Sequence, residues 1–401
     1  MAKKSMKSVK QPVVKAKPPE KPNISRLIGL VNKKSAGNAA FNLREENPSD
    51  IKYWISTGSL WLDAIIAKGI GCAGYPGGRI TELAGLSSTG KSYLLAQAIA
   101  DAQKKGMLAV LFDSENAVDS GFLELAGVNI GELLYIQAQN CEFVLDTIET
   151  LLGDYKGRIL FGWDSLANTP AKADQEGDFN PNSSIAVKAR VISRGLSKLT
   201  LPIANHEATF IVCNQLKENI SGDRYNDPLI TPGGKSFDYM ASLRLFLIRK
   251  FGDKHNIHDA RGYNIGSDLK VRLKKSRFGT ERRECSFKLL WGGDDVRVQD
   301  EESWVEAIKP SEYFDGNHGS WRWLYMKNGS RDEKDVVKWQ GMDEFLALLK
   351  DNKAFKKRIL YIIQNELVEK FAKKLIHASN FIDNITAEEE AAKKKKINGD
   401  K

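Results

Sequence analysis

The chain has 401 residues, a formal net charge of +9 and 42% apolar residues, which suits one large domain with smaller attachments. No stretch reaches the ~18 to 20 apolar residues that span a bilayer, and the cysteines Cys72, Cys141, Cys213 and Cys285 form no CxxC pair and no disulfide framework. A membrane-spanning helix and a disulfide-stapled scaffold are thereby excluded, buried thiols in a reducing compartment fit, and the basic surplus fits a polyanionic partner without proving one.

Residues 1–22 are rich in Lys and Pro and lack the apolar run of a secretory signal, so they read as a disordered basic arm. Residues 24–43 fit an amphipathic helix within a helical segment over 23–54, and its apolar spacing alone fits packing within one chain. From 55 to 300, short apolar runs alternate with helical segments. Strands are expected over 79–83, 107–112, 159–163, 209–213, 243–248, 269–273 and 286–291, and helices over 92–103 and 142–152. The first four strands are continuous apolar runs, as in a sheet covered on both faces, and the last three read as antiparallel edge additions. The pattern is β-α-β, hence an α/β fold with a mostly parallel central sheet. Residues 301–386 read as a small α/β C-terminal domain with helices over 342–349 and 354–371. Residues 387–401 read as a charged disordered tail in which three Glu precede four Lys.

Gly85-Leu86-Ser87-Ser88-Thr89-Gly90-Lys91-Ser92 fits G-x-x-x-x-G-K-[ST], with an apolar strand before it and a helix after. Glycines let the backbone curl so that several N–H groups point at one phosphate, and the helix N-terminus adds partial positive charge. In such a loop Lys91 reaches the β- and γ-phosphates and the Ser92 hydroxyl ligates Mg2+. The nucleotide-binding set is Gly85, Ser87, Ser88, Thr89, Gly90, Lys91, Ser92 and the adjoining Tyr93, with ATP and Mg2+ as cofactors. Ile159-Leu160-Phe161-Gly162-Trp163-Asp164 is an apolar strand ending in Asp, which places Asp164 beside the metal. Val110-Leu111-Phe112-Asp113-Ser114-Glu115 ends another strand with two carboxylates, and Glu115 is the candidate to activate the attacking water. Both carboxylates also fit solvated turn residues. Phe210-Ile211-Val212-Cys213-Asn214-Gln215 ends a fourth strand with an amide able to hydrogen-bond a γ-phosphate and report its presence.

This succession resembles the RecA recombinase family over 55–296. Ile55-Ser56-Thr57-Gly58-Ser59-Leu60 resembles the segment entering that core, and Gly77-Gly78-Arg79-Ile80-Thr81-Glu82 precedes the phosphate loop as in the family. Phe112-Asp113-Ser114-Glu115-Asn116-Ala117-Val118-Asp119 resembles the strand bearing the family's catalytic glutamate, which falls on Glu115. Asp119 and Phe122 fall where the family contacts and stacks on adenine. Gln215 falls on its switch glutamine, and Gly233-Gly234 on the paired glycines after its second DNA-binding loop. Ser320-Trp321-Arg322-Trp323-Leu324-Tyr325 resembles the tryptophan-bearing segment of T4-type phage recombinases.

The resemblance implies a RecA-like P-loop ATPase core and a recombinase that polymerises on single-stranded DNA as a helical filament. It implies homologous pairing and strand exchange with double-stranded DNA, and a single-strand-binding protein and a mediator protein as further partners. The place of work would be the cytoplasm, the host's if the chain is phage-encoded. Two polar segments, 173–182 and 216–232, are too irregular for core and leave the sheet beside nucleotide-sensing residues. By the resemblance they line the filament axis, with Ile185 and Ile220 as apolar wedges between base triplets. Arg190, Lys217 and Lys235 are candidate phosphate contacts, with Arg224 in the second loop; each also fits a solvated surface charge. Asp174, Glu176 and Asp178 oppose DNA phosphates unless they point away, and Ser197 stands where the family has a basic residue.

Lys275 and Arg277, in Lys274-Lys275-Ser276-Arg277, fall on two cations that the family sends across the subunit interface to a neighbour's ATP. A DNA-facing or solvated strand end is the alternative reading. His255 and His258 read as part of a hairpin loop over 254–259 rather than a metal site, and Trp291, Trp304, Trp321 and Trp323 as packing residues. Competing functions are a ring-forming RecA-type DNA helicase and a non-catalytic recombination mediator; the segment at 56–60 and Gly233-Gly234 speak against the first, and intact Lys91, Ser92, Glu115, Asp164 and Gln215 against the second.

Overall fold

The structure is a computed structural model that describes residues 23–35, 39–67, 69, 73–116, 118–176, 185–218, 229–232, 235–250, 252–292, 297–329 and 331–368. The expected arm, the expected tail, Cys72, Asp178, Ile220, Arg224, Gly233 and Gly234 lie outside these residues. The chain divides into one unit ending at Asp50 and another beginning at Ile51.

The first unit holds α1 (Ile24–Asn32), opened by the Asn23 side chain, which accepts from the Arg26 amide at 3.0 Å. Ile24, Leu27, Leu30 and Val31 are each about half exposed. The helix stops at Asn32 instead of running to 43. Asn32 Oδ1 accepts from the amides of Ala39 at 2.9 Å and Ala40 at 2.8 Å, which folds the chain back and ends the helix.

The second unit opens with β1 (Trp54–Ile55), α2 (Leu60–Ile66), β2 (Tyr75–Pro76), β3 (Ile80–Gly85) and α3 (Lys91–Lys104). It continues through β4 (Leu108–Asp113), α4 (Ser120–Leu125), β5 (Leu133–Gln137), α5 (Cys141–Asp154), β6 (Ile159–Asp164), α6 (Lys172–Glu176), α7 (Ile185–Asn205) and β7 (Thr209–Gln215). A short antiparallel pair follows, β8 (Lys217–Glu218) and β9 (Leu229–Ile230). Then come α8 (Ser236–Met240), β10 (Leu243–Arg249), β11 (Asn256–His258), β12 (Asn264–Ser276), β13 (Glu284–Leu290) and β14 (Arg297–Gln299).

The central sheet runs β14-β13-β12-β10-β3-β7-β6-β4-β5, with β11 added on β12. Strands β10, β3, β7, β6, β4 and β5 are mutually parallel, and β11 to β14 are antiparallel additions. The expectation for β10 is therefore corrected: it is an internal parallel strand beside β3, not an antiparallel edge. Arg244 gives it the look of a half-exposed strand, yet Arg244 is buried and ion-paired with Glu82, and its apolar neighbours Leu243, Leu245 and Leu247 are buried as well. Strand β5 was not anticipated: its apolar run, 133–136, is short and does not alternate, and it lies at the sheet edge with Leu134 and Tyr135 exposed.

Alternation along the parallel strands builds two cores. Leu83, Leu111, Leu160, Ile211 and Cys213 face α2 and α3, whereas Phe112, Phe161, Trp163 and Phe210 face α5 and α7. Gly162 lets α3 lie close to β6, since a Cβ there would meet Leu95 Cδ1 at 2.8 Å.

The 254–259 stretch is not a hairpin loop: it holds a 3-10 turn and β11, and His255 Nδ1 pairs with Asp268 Oδ2 at 2.8 Å. The remainder of the described chain forms α9 (Trp304–Ile308), β15 (Phe314–His318), β16 (Trp321–Tyr325), β17 (Val336–Gln340), α10 (Gly341–Asp351) and α11 (Lys353–Tyr361). A π-helical turn, Ile362–Leu367, follows α11 where a continuous helix was expected. Trp339, Phe345 and Phe355 centre this lobe's core, which also takes in Ala64 of α2. Trp304 is buried and Trp291 packs beneath the Arg249 guanidinium at 5.4 Å. Trp321 is 43% exposed, and the Lys338 ammonium sits 3.8 Å from the Trp323 ring centroid, so this face of β16 is turned to solvent rather than packed as expected.

Candidate functional site

Four adjacent strands deliver the candidate residues to one edge of the sheet, in the order β3, β7, β6, β4. Gly85 lies level with Gln215, and Asp164 level with Asp113. These are carboxyl ends of parallel strands, where open α/β sheets bind ligands.

The loop after β3 curls tightly. Ser88 has φ 57° and Gly90 φ 80°, and a Cβ on Gly85 would meet Thr89 Oγ1 at 2.3 Å and the Leu247 carbonyl at 2.9 Å. Thr89 Oγ1 donates to the Leu86 carbonyl at 2.8 Å. Lys91 Nζ donates to the carbonyls of Gly85 at 3.2 Å and Leu86 at 2.7 Å, so the ammonium is held at the mouth of the loop. Burial pulls its pKa down, and the negative charges of Asp164 and Glu115 act against that. The Ser92 hydroxyl hydrogen-bonds Asp164, whose pKa is raised by burial and by the nearby Glu115 charge, while the Ser92 bond lowers it. A hydroxyl beside a carboxylate is a hard-oxygen pair that suits Mg2+, which takes few protein ligands alongside phosphate oxygens.

Beside this loop runs a cleft lined by Ser92, Glu115, Asp119, Phe122 and Asp164. Tyr93 and Phe122 meet edge to face with ring centroids 6.1 Å apart, and Phe122 also faces the second hollow at the loop, with Ser88 and Gly90. Asp119 caps α4 by accepting from the Gly121 amide at 3.0 Å. A planar base fits between an aromatic edge and a polar cap of this kind.

Glu115 is fixed by Asp113, which is buried rather than a solvated turn residue, and by Ser165 and Asn168, which sequence reasoning did not single out. Asp113 Oδ1 accepts from the amides of Glu115 at 2.8 Å and Asn116 at 3.1 Å, and Asp113 Oδ2 accepts from Tyr135 at 2.9 Å. Asp113 thus shapes the turn. Glu115 Oε1 accepts from Ser165 Oγ at 3.0 Å and Asn168 Nδ2 at 2.5 Å. The Asp164–Ser165 peptide is cis. A polar residue just after a strand-ending Asp was the one available signal for Ser165; Asn168 gave none.

Gln215 stands beside a buried polar network. Glu82 is fully buried and accepts from Arg244 Nε at 2.5 Å and Asn214 Nδ2 at 2.8 Å. Arg244 also pairs with Asp238 and donates to Thr231 Oγ1 at 3.1 Å, and Asn214 donates to the Pro232 carbonyl at 2.9 Å. The two strands flanking β3, β10 and β7, therefore grip the returning end of the second candidate DNA segment, and its outgoing end is tied by the Leu216 amide to the Gly85 carbonyl at 3.1 Å.

The candidate DNA residues are only partly placed. Ile185 starts α7, Arg190 is exposed further along it, and Lys217 and Lys235 are exposed on either side of the second segment. Lys275 and Arg277 lie elsewhere. Lys275 pairs with Arg244, which pairs with Glu82, three residues before Gly85. That is about 10 Å back along the strands and about 10 Å across two strand spacings, beyond reach of their own chain's phosphate loop. Lys275 Nζ and Arg277 NH2 both donate to the Tyr239 carbonyl. Lys275 has its pKa pulled down to about 8, by burial first and then by Arg277 and Arg244.

A mostly parallel sheet with a curled G-x-x-x-x-G-K-S loop and converging carboxylates at its carboxyl edge defines a P-loop ATPase. Within that class, the family model for the RecA N-terminal domain matches residues 23–295. The chain is similar to Protein RecA of Clostridium tetani, 31% identical over 377 residues that cover 93% of this chain and 97% of that protein. Protein RecA of Leptospira biflexa is 32% identical over 77% of this chain and 75% of its own length, and that of Fusobacterium nucleatum 33% identical over 73% and 74%. The chain belongs to the RecA family, and it is an ATP-dependent recombinase of DNA recombination and repair. No helix among the described residues is long and apolar enough to cross a membrane.

Proposed function

We propose that this chain polymerises on single-stranded DNA as a helical filament and exchanges strands with duplex DNA, cleaving ATP at the junctions between subunits. The carrying observation is the delivery of Gly85–Ser92, Gln215, Asp164 and Glu115 by four adjacent strands to one edge. Gly85, Ser87, Ser88, Thr89 and Gly90 cradle the phosphates, Tyr93, Asp119 and Phe122 hold the base, and Ser92 and Asp164 hold Mg2+, which offsets phosphate charge. Glu115 orients the attacking water and takes its proton, and Lys91 steadies the β- and γ-oxygens.

Lys275 and Arg277 serve a neighbour's site. Their distance from their own loop supports this: a cation at the amino edge of the sheet acts on phosphates only if another subunit brings them there. Half-exposed Ile24, Leu27, Leu30 and Val31 on α1 suit a segment that docks on another copy. The proposed parts are then an arm (1–22), an oligomerisation segment (23–54), a core (55–300), a C-terminal domain (301–386) and a tail (387–401).

Gln215 bonds the γ-phosphate and orders the DNA segment tied to it, so ATP raises DNA affinity and DNA raises ATP affinity by the same factor. Arg190, Lys217, Arg224 and Lys235 contact DNA phosphates, Ile185 and Ile220 wedge between bases, and Gly233 and Gly234 let the backbone turn. A single-strand-binding protein and a mediator act alongside, in the cytoplasm. For the C-terminal third, the Ser320–Tyr325 segment supports kinship with T4-type phage recombinases; the relatives named above are bacterial.

The test is ATP hydrolysis with and without single-stranded DNA over a range of protein concentration, for wild type and Lys275→Ala. Stimulation that rises cooperatively and collapses in the variant is expected. Stimulation retained in Lys275→Ala removes the cation in trans.

A further inference from the structure

We propose that Asn168 and Lys188 are positioning residues that restrain Glu115, so that a DNA phosphate taken up by Lys188 frees the carboxylate to act. The inference rests on the proposed reading of Glu115 as the group that activates water and of the start of α7 as a face that meets DNA.

Glu115 Oε1 accepts from both Ser165 Oγ and Asn168 Nδ2, at 3.0 and 2.5 Å. A carboxylate held through one oxygen by two donors cannot turn about its last bond without breaking both, whereas a general base has to turn to meet its water. The two donors differ in how firmly they are anchored. Ser165 is buried at the end of β6, its amide donates to Ser114 Oγ at 3.0 Å, and its carbonyl accepts from Ser114 Oγ and Thr169 Oγ1, each at 2.9 Å. Asn168 is exposed, on the turn that leaves the site towards α6.

That turn is gripped from α7. Lys188 Nζ donates to the carbonyl of Ala167, the residue before Asn168, at 2.8 Å. Lys188 lies in the first turn of α7, so it belongs to the far side of the same segment that α6 opens. Its surroundings are cationic on one side: burial lowers its pKa first, and the Lys217 charge from the second segment lowers it further, against Cys141 and Asp174. An ammonium bonded to a neutral carbonyl and facing another cation gains a stronger, charge-assisted bond when a phosphate approaches. Drawing Lys188 to that phosphate releases the Ala167 carbonyl, loosens the turn and withdraws the Asn168 amide from Glu115. DNA stimulation of hydrolysis then arises in part from removing a restraint.

The experiment compares steady-state ATP hydrolysis by the full chain, with and without single-stranded DNA, for wild type, Asn168→Ala, Lys188→Met and Glu115→Gln. Loss of one charge-assisted hydrogen bond from the base corresponds to about tenfold in rate. Asn168→Ala is expected to raise DNA-free kcat by about this factor, with KM for ATP unchanged, and to cut the stimulation ratio accordingly. Lys188→Met, outside the turn, tests the same link independently and moves the ratio in the same direction. A merely structural role lowers both rates together, and that result, or a DNA-free rate unchanged in both variants, overturns the inference. Glu115→Gln separates the two failures. Hydrolysis retained in Glu115→Gln removes the role of Glu115 itself; hydrolysis abolished there while Asn168→Ala and Lys188→Met keep the wild-type ratio removes only the coupling.

Discussion

Replacing Arg244 by Met strips Glu82 of its cation while leaving the carboxylate fully buried on β3. Breaking a buried pair from one side costs about 3 to 5 kcal/mol, because the remaining charge is uncompensated. Asn214 Nδ2 still donates to Glu82 and offsets a little of that loss. Asp238, the other partner of Arg244, is half exposed and returns to water. Replacing both members, Glu82→Met with Arg244→Met, removes the stranded charge and should recover most of the stability, since an apolar pair of similar volume is about neutral. The remainder is about 1 kcal/mol for the Asn214 amide, which then keeps only the Pro232 carbonyl. Urea unfolding of the wild type, the single variant and the double variant gives the numbers, with the midpoints compared at a common slope. A single variant within about 1 kcal/mol of wild type, or a double variant no more stable than the single, would refute the reasoning.

Asp63 is buried with its pKa pushed up to about 6 despite hydrogen bonds from Ser56 and Thr57. A raised carboxyl favours folding while protonated, so its contribution is full below the unfolded value and is lost as pH rises through about 6. The stability of wild type relative to Asp63→Asn should therefore fall by about 3 kcal/mol between acid and neutral pH; a constant difference in unfolding free energy across that window counts against it. In the free subunit Lys275, with its pKa near 8, loses its charge as pH rises through that value. Seating it against a neighbour's phosphates then takes up a proton, so above that pH the protein concentration that gives half-maximal DNA-stimulated hydrolysis should rise in the wild type and hold in Lys275→Arg, whose guanidinium stays charged; superimposable pH profiles would argue against a charged role. Asp113→Ala removes the acceptor for two backbone amides that shape the Glu115 turn, so kcat should drop by about tenfold with ATP binding retained, as read by nucleotide titration.

The elements that the amino-acid pattern announced are those whose physics is local. The phosphate loop needs glycines and a following helix at fixed spacing, and β6 and β7 are apolar runs closed by Asp164 and Gln215, so motif and strand end coincide. What stayed hidden depends on register. Glu82 and Arg244 each look like an interruption in an apolar strand, and only the parallel pairing of β3 with β10 makes them one buried pair. For the same reason β10 read as an edge. Asn168 lies 53 residues from Glu115 in sequence, and nothing in its neighbourhood marks it as a partner. The early stop of α1 was equally invisible, because it depends on one amide side chain reaching back to residues 39 and 40.

Helix α2 is shared property. Leu62, Ile65 and Ile66 fill the core beneath the central sheet, while Ala64 belongs to the core of the C-terminal lobe. Its capping residue, Ser59, and the Trp61 amide both bond Asp300 at the seam, at 2.9 and 3.1 Å. Neither body can lose the helix without exposing apolar surface of the other, so the lobe melts with the ATPase core in one cooperative transition. Cutting the chain after β14 leaves a wounded enzyme with a bare flank, whereas a freely tethered module would simply have come away.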